Sequence, residues 1–185
     1  SNARNYRMDE LVPLLIPEIN AEHLALLPEQ RKARGWSGAI VTNPNCSTVV
    51  LAMALAPLRI FDIRRVIVST MQAVSGAGYP GVPSLDILGN VVPFIGGEED
   101  KLETETQKIL GADGGRARLE ALISAHTNRV PVIDGHTMTV SVELGSKPSI
   151  AEVEAAMSAF SGKPQSPDGK SIEPMQAHGL QVMSV

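Results

Sequence analysis

Cys46 is the only cysteine in the chain. It stands in Asn43-Pro44-Asn45-Cys46-Ser47-Thr48, a polar turn that runs into Val49-Val50-Leu51-Ala52-Met53-Ala54-Leu55. The second segment is strongly helix-forming, which places the thiol at or just before a helix's first turn. Unpaired amides and the positive end of the helix dipole favour negative charge there, so such a thiol ionises more readily and becomes a better nucleophile. The competing reading is a buried structural cysteine; Asn45 and Ser47 argue instead for a wet, polar setting. Arg129 and His136 are seven positions apart, so an unbroken strand would point them to opposite faces. Asp134-Gly135 between them reads as a turn or bulge that resets the phase and turns both toward one cavity. Glu98, Lys101 and Glu105 share one face of a predicted helix. By spacing alone, Glu98 and Lys101 form an exposed ion pair of little energetic weight. Ser75-Gly76-Ala77-Gly78-Tyr79-Pro80-Gly81 is dense in glycine and allows a close backbone approach to a ligand, often an anion. The dinucleotide-binding spacing of glycines is absent, so no complete dinucleotide domain is encoded.

These residues need elements to carry them. Leu11 to Ile19, with Pro13 and Pro17, reads as extended. Asn20 is a candidate cap for a short helix from Ala21 to Gln30, and Arg31 to Arg34 before Gly35 is a solvated helix end. Ala39 to Thr42 reads as a strand that delivers the chain to Cys46, and Pro57 closes the helix that follows. Ile63 to Met71 is a strand rich in β-branched residues. Leu85 to Ile95 reads as a short helix or turn and then an extended piece. Glu98 to Leu110 is a helix with acidic residues in its first turn, Lys108 late and Gly111 beyond. Gly114 to Asn128 reads as a second helix with Leu119, Leu122 and Ile123 inward. Arg129 to Ile133 and His136 to Leu144 read as strands, the latter alternating through Met138, Val140, Val142 and Leu144. Ser149 caps a last helix, Ile150 to Phe160. From 161 the chain is rich in Pro, Gly and Ser, with one extended piece from Leu180 to Val185. His23 on a short surface helix, His126 near a helix end and His178 in the tail are given no chemistry.

A chain of 185 residues suffices for one domain with a real core. With 43% apolar residues, 19% charged residues and a net charge of −4, it reads neither as disordered nor as a basic nucleic-acid-binding surface. No apolar run is long enough to span a bilayer. One cysteine allows neither an internal disulfide framework nor a cysteine-based metal site, and fits a reducing, cytoplasmic setting.

Several motifs in order resemble one family, aspartate-β-semialdehyde dehydrogenase in its fungal and archaeal branch. They are Ser1-Asn2-Ala3-Arg4-Asn5-Tyr6-Arg7-Met8, the Cys46 turn, Met71-Gln72-Ala73-Val74-Ser75-Gly76-Ala77-Gly78, Gly97-Glu98-Glu99-Asp100-Lys101 with Glu105-Thr106-Gln107-Lys108-Ile109, and Arg129-Val130-Pro131-Val132-Ile133-Asp134-Gly135-His136-Thr137. The resemblance covers roughly residues 1–160 and implies NADPH-linked reductive dephosphorylation of aspartyl-β-phosphate. It makes Cys46 the nucleophile, His136 the general acid/base and Gln72 the residue that orients the reacting carbonyl. Arg129 would hold the substrate α-carboxylate and Glu98 its amino group; Arg7, Asn45 and Lys101 would bind the departing phosphate. Ser75, Gly76 and Gly78 would face phosphate or cofactor through their backbone. On this resemblance Glu98 and Lys101 become a wall of the pocket instead of a surface pair.

The implied fold is α/β (α+β): a mixed, largely antiparallel sheet with helices on one face, as in the C-terminal domain of glyceraldehyde-3-phosphate dehydrogenase-like enzymes. Its open face would form a homodimer or a dimer of dimers. Residues 1–160 would be the substrate-binding and dimerisation domain and residues 161–185 an irregular tail. The family's N-terminal dinucleotide domain and C-terminal return segment are absent, so the chain alone is expected to bind NADP weakly and turn over negligibly. Two rivals stand beside this: an N-acetylglutamyl-phosphate reductase, which needs no grip on a free amino group, and a non-catalytic dimerising relative. No metal, nucleic acid or membrane partner is expected.

Overall fold

The computed structural model describes Ser1, Asn2 and residues 4–161. Three strands organise it: β1 (Ile63–Gln72), β2 (Leu122–Arg129) and β3 (Thr137–Leu144), in the order β2-β1-β3. The sheet is mixed, as expected, with β1 parallel to β2 and antiparallel to β3. Among the described residues six α-helices accompany it: α1 (Pro17–Asn20), α2 (Leu27–Arg34), α3 (Cys46–Leu55), α4 (Ser84–Ile87), α5 (Glu98–Ile109) and α6 (Ile150–Ala159).

The core lies on one face of the sheet. Val66 and Val68 of β1 are fully buried and pack with Leu51 and Leu55 of α3 and Leu102 and Ile109 of α5. Each such aliphatic side chain contributes about 1.5–3 kcal/mol through the area it removes from water. The opposite face carries Arg65, Ile67, Ser124, His126, Thr139 and Ser141, all exposed. One covered and one open face explain the alternation that marks β3 in the sequence. The register sets Gln72 opposite Arg129 and Met71 opposite Thr137. The end of β1, the end of β2 and the start of β3 therefore meet at one edge.

The expected helix over Gly114 to Asn128 is not formed. A 3₁₀ turn (Asp113–Gly115) leads into irregular chain and then β2. Leu, Ala and Glu give this stretch a helical composition, but β1 needs a partner along its second edge, and sheet pairing overrides a propensity of a few tenths of a kcal/mol per residue. The outer edge of β2 is closed by other means. Ala125 N donates to Glu103 Oε1 and Thr127 N to Glu99 Oε1, both at 3.0 Å. Arg129 N donates to the carbonyl of Val92.

Smaller departures follow the same logic. Ala39 to Thr42 forms no strand beyond a bridge from Thr42 to Leu14; the side-chain amide of Gln30 bonds the N–H and C=O of Ile40 instead. The Ala21 helix splits into a 3₁₀ segment (Ala21–Leu26) and α2. Asn20 does not cap it: the side chain bonds Leu14 O, Ile16 N and His23 Nδ1. His23, expected at the surface, is fully buried. It lies against Gly115, where a β-carbon would come within 2.9 Å of its Nδ1. His126 sits on β2, exposed, and not at a helix end. The extended piece at Leu180 to Val185, His178 and the tail from 162 lie outside the described residues.

Candidate active site

Cys46 is the first residue of α3. Asn45 caps the helix, its Oδ1 accepting from the amides of Ser47 (3.0 Å) and Thr48 (3.4 Å). The sequence places Cys46 at the helix start; that Asn45 is the residue capping it is a finding of the structure. The thiol is exposed, which decides against the buried-cysteine reading. Its Sγ lies 3.4 Å from His136 Nε2, a contact between residues 90 positions apart.

The backbone of Ala73, immediately after β1, holds the other two groups. Its N–H donates to His136 Nδ1 at 3.1 Å, and its carbonyl accepts from Arg129 Nη1 at 2.8 Å. The strand expected over Arg129 to Ile133 ends at Arg129, and irregular chain over 130–136, not a phase reset at 134–135, lets Arg129 and His136 meet at one residue. Because Nδ1 faces an N–H, it is an acceptor, and the neutral ring carries its hydrogen on Nε2, toward the sulfur. Burial holds the His136 pKa below its ordinary value, and the Arg129 guanidinium adds to this while Glu98 opposes it. Geometry and electrostatics agree, since an imidazolium would set its Nδ1–H against the Ala73 N–H.

Gly76 completes this corner. A methyl group there would fall 2.8 Å from His136 Cε1 and 3.1 Å from Arg129 Nη1. Glycine makes room for both side chains. The amides of Ser75, Gly76 and Gly78, expected to face phosphate or cofactor through their backbone, are already engaged within the protein. Ser75 N donates to Ile133 O, Gly76 N to Ala73 O and Gly78 N to Ser75 O. The Gly76 and Gly78 bonds close a 3₁₀ segment (Val74–Ala77), and the Ser75 bond ties that turn to the chain at Ile133. What it leaves outward is an exposed serine hydroxyl and backbone carbonyls.

The far wall comes from α5. Glu98 Oε2 accepts from Asn45 Nδ2 at 2.9 Å, and Glu98 Oε1 pairs with Lys101 Nζ. Glu98 is 9% exposed, so the pair is not the surface ion pair that spacing alone suggested. Arg7 is also buried and pairs with Glu105. Gln72 lies buried opposite Arg129, its amide donating to Thr70 Oγ1 at 3.4 Å. Clefts of about 580 Å³ between the 56–61 turn and α6, and of about 270 Å³ beside Lys108, lie away from Cys46. Side-chain chemistry singles out this site, not cavity size. Among the described residues, no three His, Cys, Asp or Glu side chains are grouped to hold a metal ion. No described helix is long and apolar enough to cross a membrane.

A family model described as "Semialdehyde dehydrogenase, dimerisation domain" matches residues 55–180. The chain belongs to the semialdehyde dehydrogenase family. It is 56% identical over 162 residues to an aspartate-semialdehyde dehydrogenase of Archaeoglobus fulgidus, covering 86% of this chain and 47% of that protein. The crystal structure of aspartate semialdehyde dehydrogenase with NADP from Candida albicans matches with a TM-score of 0.74 and 39% identity, over 88% of this chain and 49% of that one. Aspartate semialdehyde dehydrogenase II of Vibrio cholerae, solved as a complex with ASA, matches with a TM-score of 0.70 and 28% identity, over 96% of this chain and 57% of that one. This member of the semialdehyde dehydrogenase family spans about half the length of the curated relatives it matches.

Sequence reasoning missed the Ala73 backbone, which has no side-chain signature. It also missed the buried partners on α5, Glu105 and Lys108. The shared face of Glu98, Lys101 and Glu105 was the available signal for the first of these.

Proposed function

We propose that residues 1–160 form the substrate-binding and dimerisation half of an NADPH-dependent aspartate-semialdehyde dehydrogenase, with Cys46 as nucleophile. The observation that carries this is the 3.4 Å approach of Cys46 Sγ to His136 Nε2 at the N-terminus of α3, beside the Arg129 guanidinium. An acyl phosphate is activated, yet hydride does not displace phosphate cleanly. A thiolate does, forming a carbon–sulfur bond as the carbon–oxygen bond to phosphate breaks. The thioester carbonyl then accepts hydride, and collapse of the hemithioacetal returns the thiolate and frees the aldehyde.

His136 manages the protons of these steps. As placed, with its hydrogen on Nε2, the ring donates toward a Cys46 thiolate. To take a thiol proton at Nε2 it must first give that hydrogen to solvent and gain one at Nδ1, which opens the bond from the Ala73 N–H. Arg129, planar and permanently charged, suits the substrate α-carboxylate. Glu98 suits its ammonium group, and the buried Glu98 is the feature that favours aspartyl phosphate over an N-acetylated acyl phosphate. Lys101, Arg7, Asn45 and the helix N-terminus supply donors to the departing phosphate. Gln72 orients the reacting carbonyl.

The Ser75–Gly78 turn, with its amides engaged, suits an uncharged amide edge of NADP better than its phosphates. When bound, that cofactor supplies the hydride. Its phosphates would be held by residues outside this chain, so the 185 residues alone are expected to turn over negligibly. A second copy of the chain covers the open sheet face, where Ile67 and Leu122 are exposed. This and the matching dimerisation-domain model support a homodimer in a cytoplasmic biosynthetic enzyme.

The test is phosphate-dependent reduction of NADP by aspartate semialdehyde in the complete enzyme. Activity that falls by about 10³-fold or more in C46A is the expected result. Activity with an N-acetylated substrate but none with aspartate semialdehyde would overturn the substrate assignment.

A further inference from the structure

Helix α5 carries two more buried charged side chains, Glu105 and Lys108, that the chemistry above does not use. Glu105 is 2% exposed. Its Oε1 accepts from Arg7 Nη1 at 3.0 Å, and its Oε2 accepts from the backbone N–H of Asn45 at 2.8 Å. Asn45 is the cap of the cysteine helix. From a neighbouring helix, this carboxylate bonds the cap N–H as a third-position glutamate does in a capping box. One turn on, Lys108 Nζ donates to the carbonyls of Arg7, Asp9 and Val12 at 2.8, 2.7 and 2.9 Å.

Arg7 is thus fixed at both ends, its carbonyl by Lys108 and its guanidinium by Glu105. Arg7 Nη2 also reaches the carbonyl of Asn2 at 3.3 Å. Its Nε is buried and without a partner. A buried donor left over on an otherwise immobilised guanidinium calls for an explanation beyond packing. Its side-chain freedom is already given up before any ligand binds. Glutamine at 105 replaces one of the two accepting oxygens with an NH2 donor, which would face either the Arg7 guanidinium or the Asn45 N–H, donor against donor.

We propose that Glu105 is a positioning residue of the phosphate site: one carboxylate sets the Arg7 donors in fixed register with Asn45, and through it with Cys46. This rests on Arg7 as a phosphate ligand, and it adds a residue that touches neither substrate nor the reacting atoms.

The experiment uses the complete enzyme in the phosphate-consuming direction, with iodoacetamide alkylation of Cys46 as a second readout. In E105Q the KM for phosphate is expected to rise about tenfold or more, with the KM for the semialdehyde within about twofold. The phosphate concentration that protects Cys46 from alkylation should rise by the same factor. E105D, which keeps the charge on a shorter stem, should fall between the two. E103Q, on the β2 side of the same helix, should move neither value. An unchanged phosphate KM and unchanged protection in E105Q would overturn the proposal. Equal losses in both KM values and kcat, without rescue by E105D, would make Glu105 merely structural and overturn it too. If E105Q does not fold, E105D carries the test, and a wild-type phosphate KM in that variant sinks it. Wild-type enzyme with neither phosphate-dependent turnover nor phosphate protection would instead defeat the functional reading itself.

Discussion

Helix α5 bears two rows of polar side chains that do different work. Glu98, Glu105 and Lys108 face the cysteine helix and the segment before Pro13, and their partners lie far away along the chain: Asn45, Arg7 and the carbonyls of residues 7, 9 and 12; Lys101 joins this row by pairing with Glu98. Glu99 and Glu103, on another side of the helix, accept from backbone amides of β2. The second row needs only an N–H at a strand edge, which almost any residue supplies. The first needs particular side chains in particular orientations. Glutamate serves both, and the difference lies in what it meets. Changes in the first row should therefore separate function from stability, while changes in the second should touch stability alone.

Four substitutions and a titration sharpen or break this contrast. The largest effect on stability is expected for Lys108→Met, which leaves three carbonyls without their donor. A loss of about 3 kcal/mol should appear in the urea midpoint. Burial pushes the Lys108 pKa down to about 8, so the charge is already costly to hold, and an unchanged midpoint would show that the carbonyl cage does not offset that cost. Next comes Glu98→Gln, which keeps an acceptor for Asn45 but removes the charge beside Lys101. A fall of about 10–100-fold in kcat/KM with a nearly unchanged midpoint is expected. Gly76→Ala should lower kcat about tenfold, because its methyl group displaces the His136 ring. Wild-type kinetics there would show that the ring need not stay where it lies. Glu103→Ala should cost about 1 kcal/mol at the sheet edge and leave both KM values alone. A kinetic defect in that variant would erase the distinction between the rows.

The smallest effect concerns His23, on the Lys108 side. Burial lowers its pKa from the ordinary 6.5. The unfolded chain therefore binds a proton that the folded chain refuses, in the window just below pH 6.5. Stability from this group is present above 6.5 and is lost as the pH falls through the lower, folded-state value. Denaturation midpoints measured from pH 7 to pH 5 should decline less steeply in His23→Gln than in wild type.

Local signals carried much of the fold in advance. The helix start at Cys46, the acidic start of α5, the β-branched run of β1, the alternation of β3 and the Ser149 cap of α6 each state a structure within a few residues. Cys46, Arg129 and His136 could be singled out by type, but the loop over 130–136 that brings the last two together reads in the sequence as a strand and a short turn. β2 was not legible. Ala121-Leu122-Ile123-Ser124-Ala125 has no strand pattern of its own and becomes a strand because β1 lies beside it. Glu105 and Lys108 were equally hidden, since a charged residue on an amphipathic helix reads as solvated until its partner 98 or 101 positions away is placed against it. The role of the Ala73 backbone could not be read at all, because backbone groups are the same at every position.

The 90-residue span between sulfur and imidazole has a consequence for synthesis. At a translation rate of about 5–20 residues per second, Cys46 leaves the ribosome roughly 5–20 s ahead of His136. Until Leu122 is made, the Ala73 backbone has neither Arg129 nor His136 to hold, and the central strand lacks both neighbours. A nascent polypeptide arrested before Leu122 would therefore display a bare thiol and an unpaired β1, and the sulfur would meet its imidazole only after β2 and the loop beyond it are made.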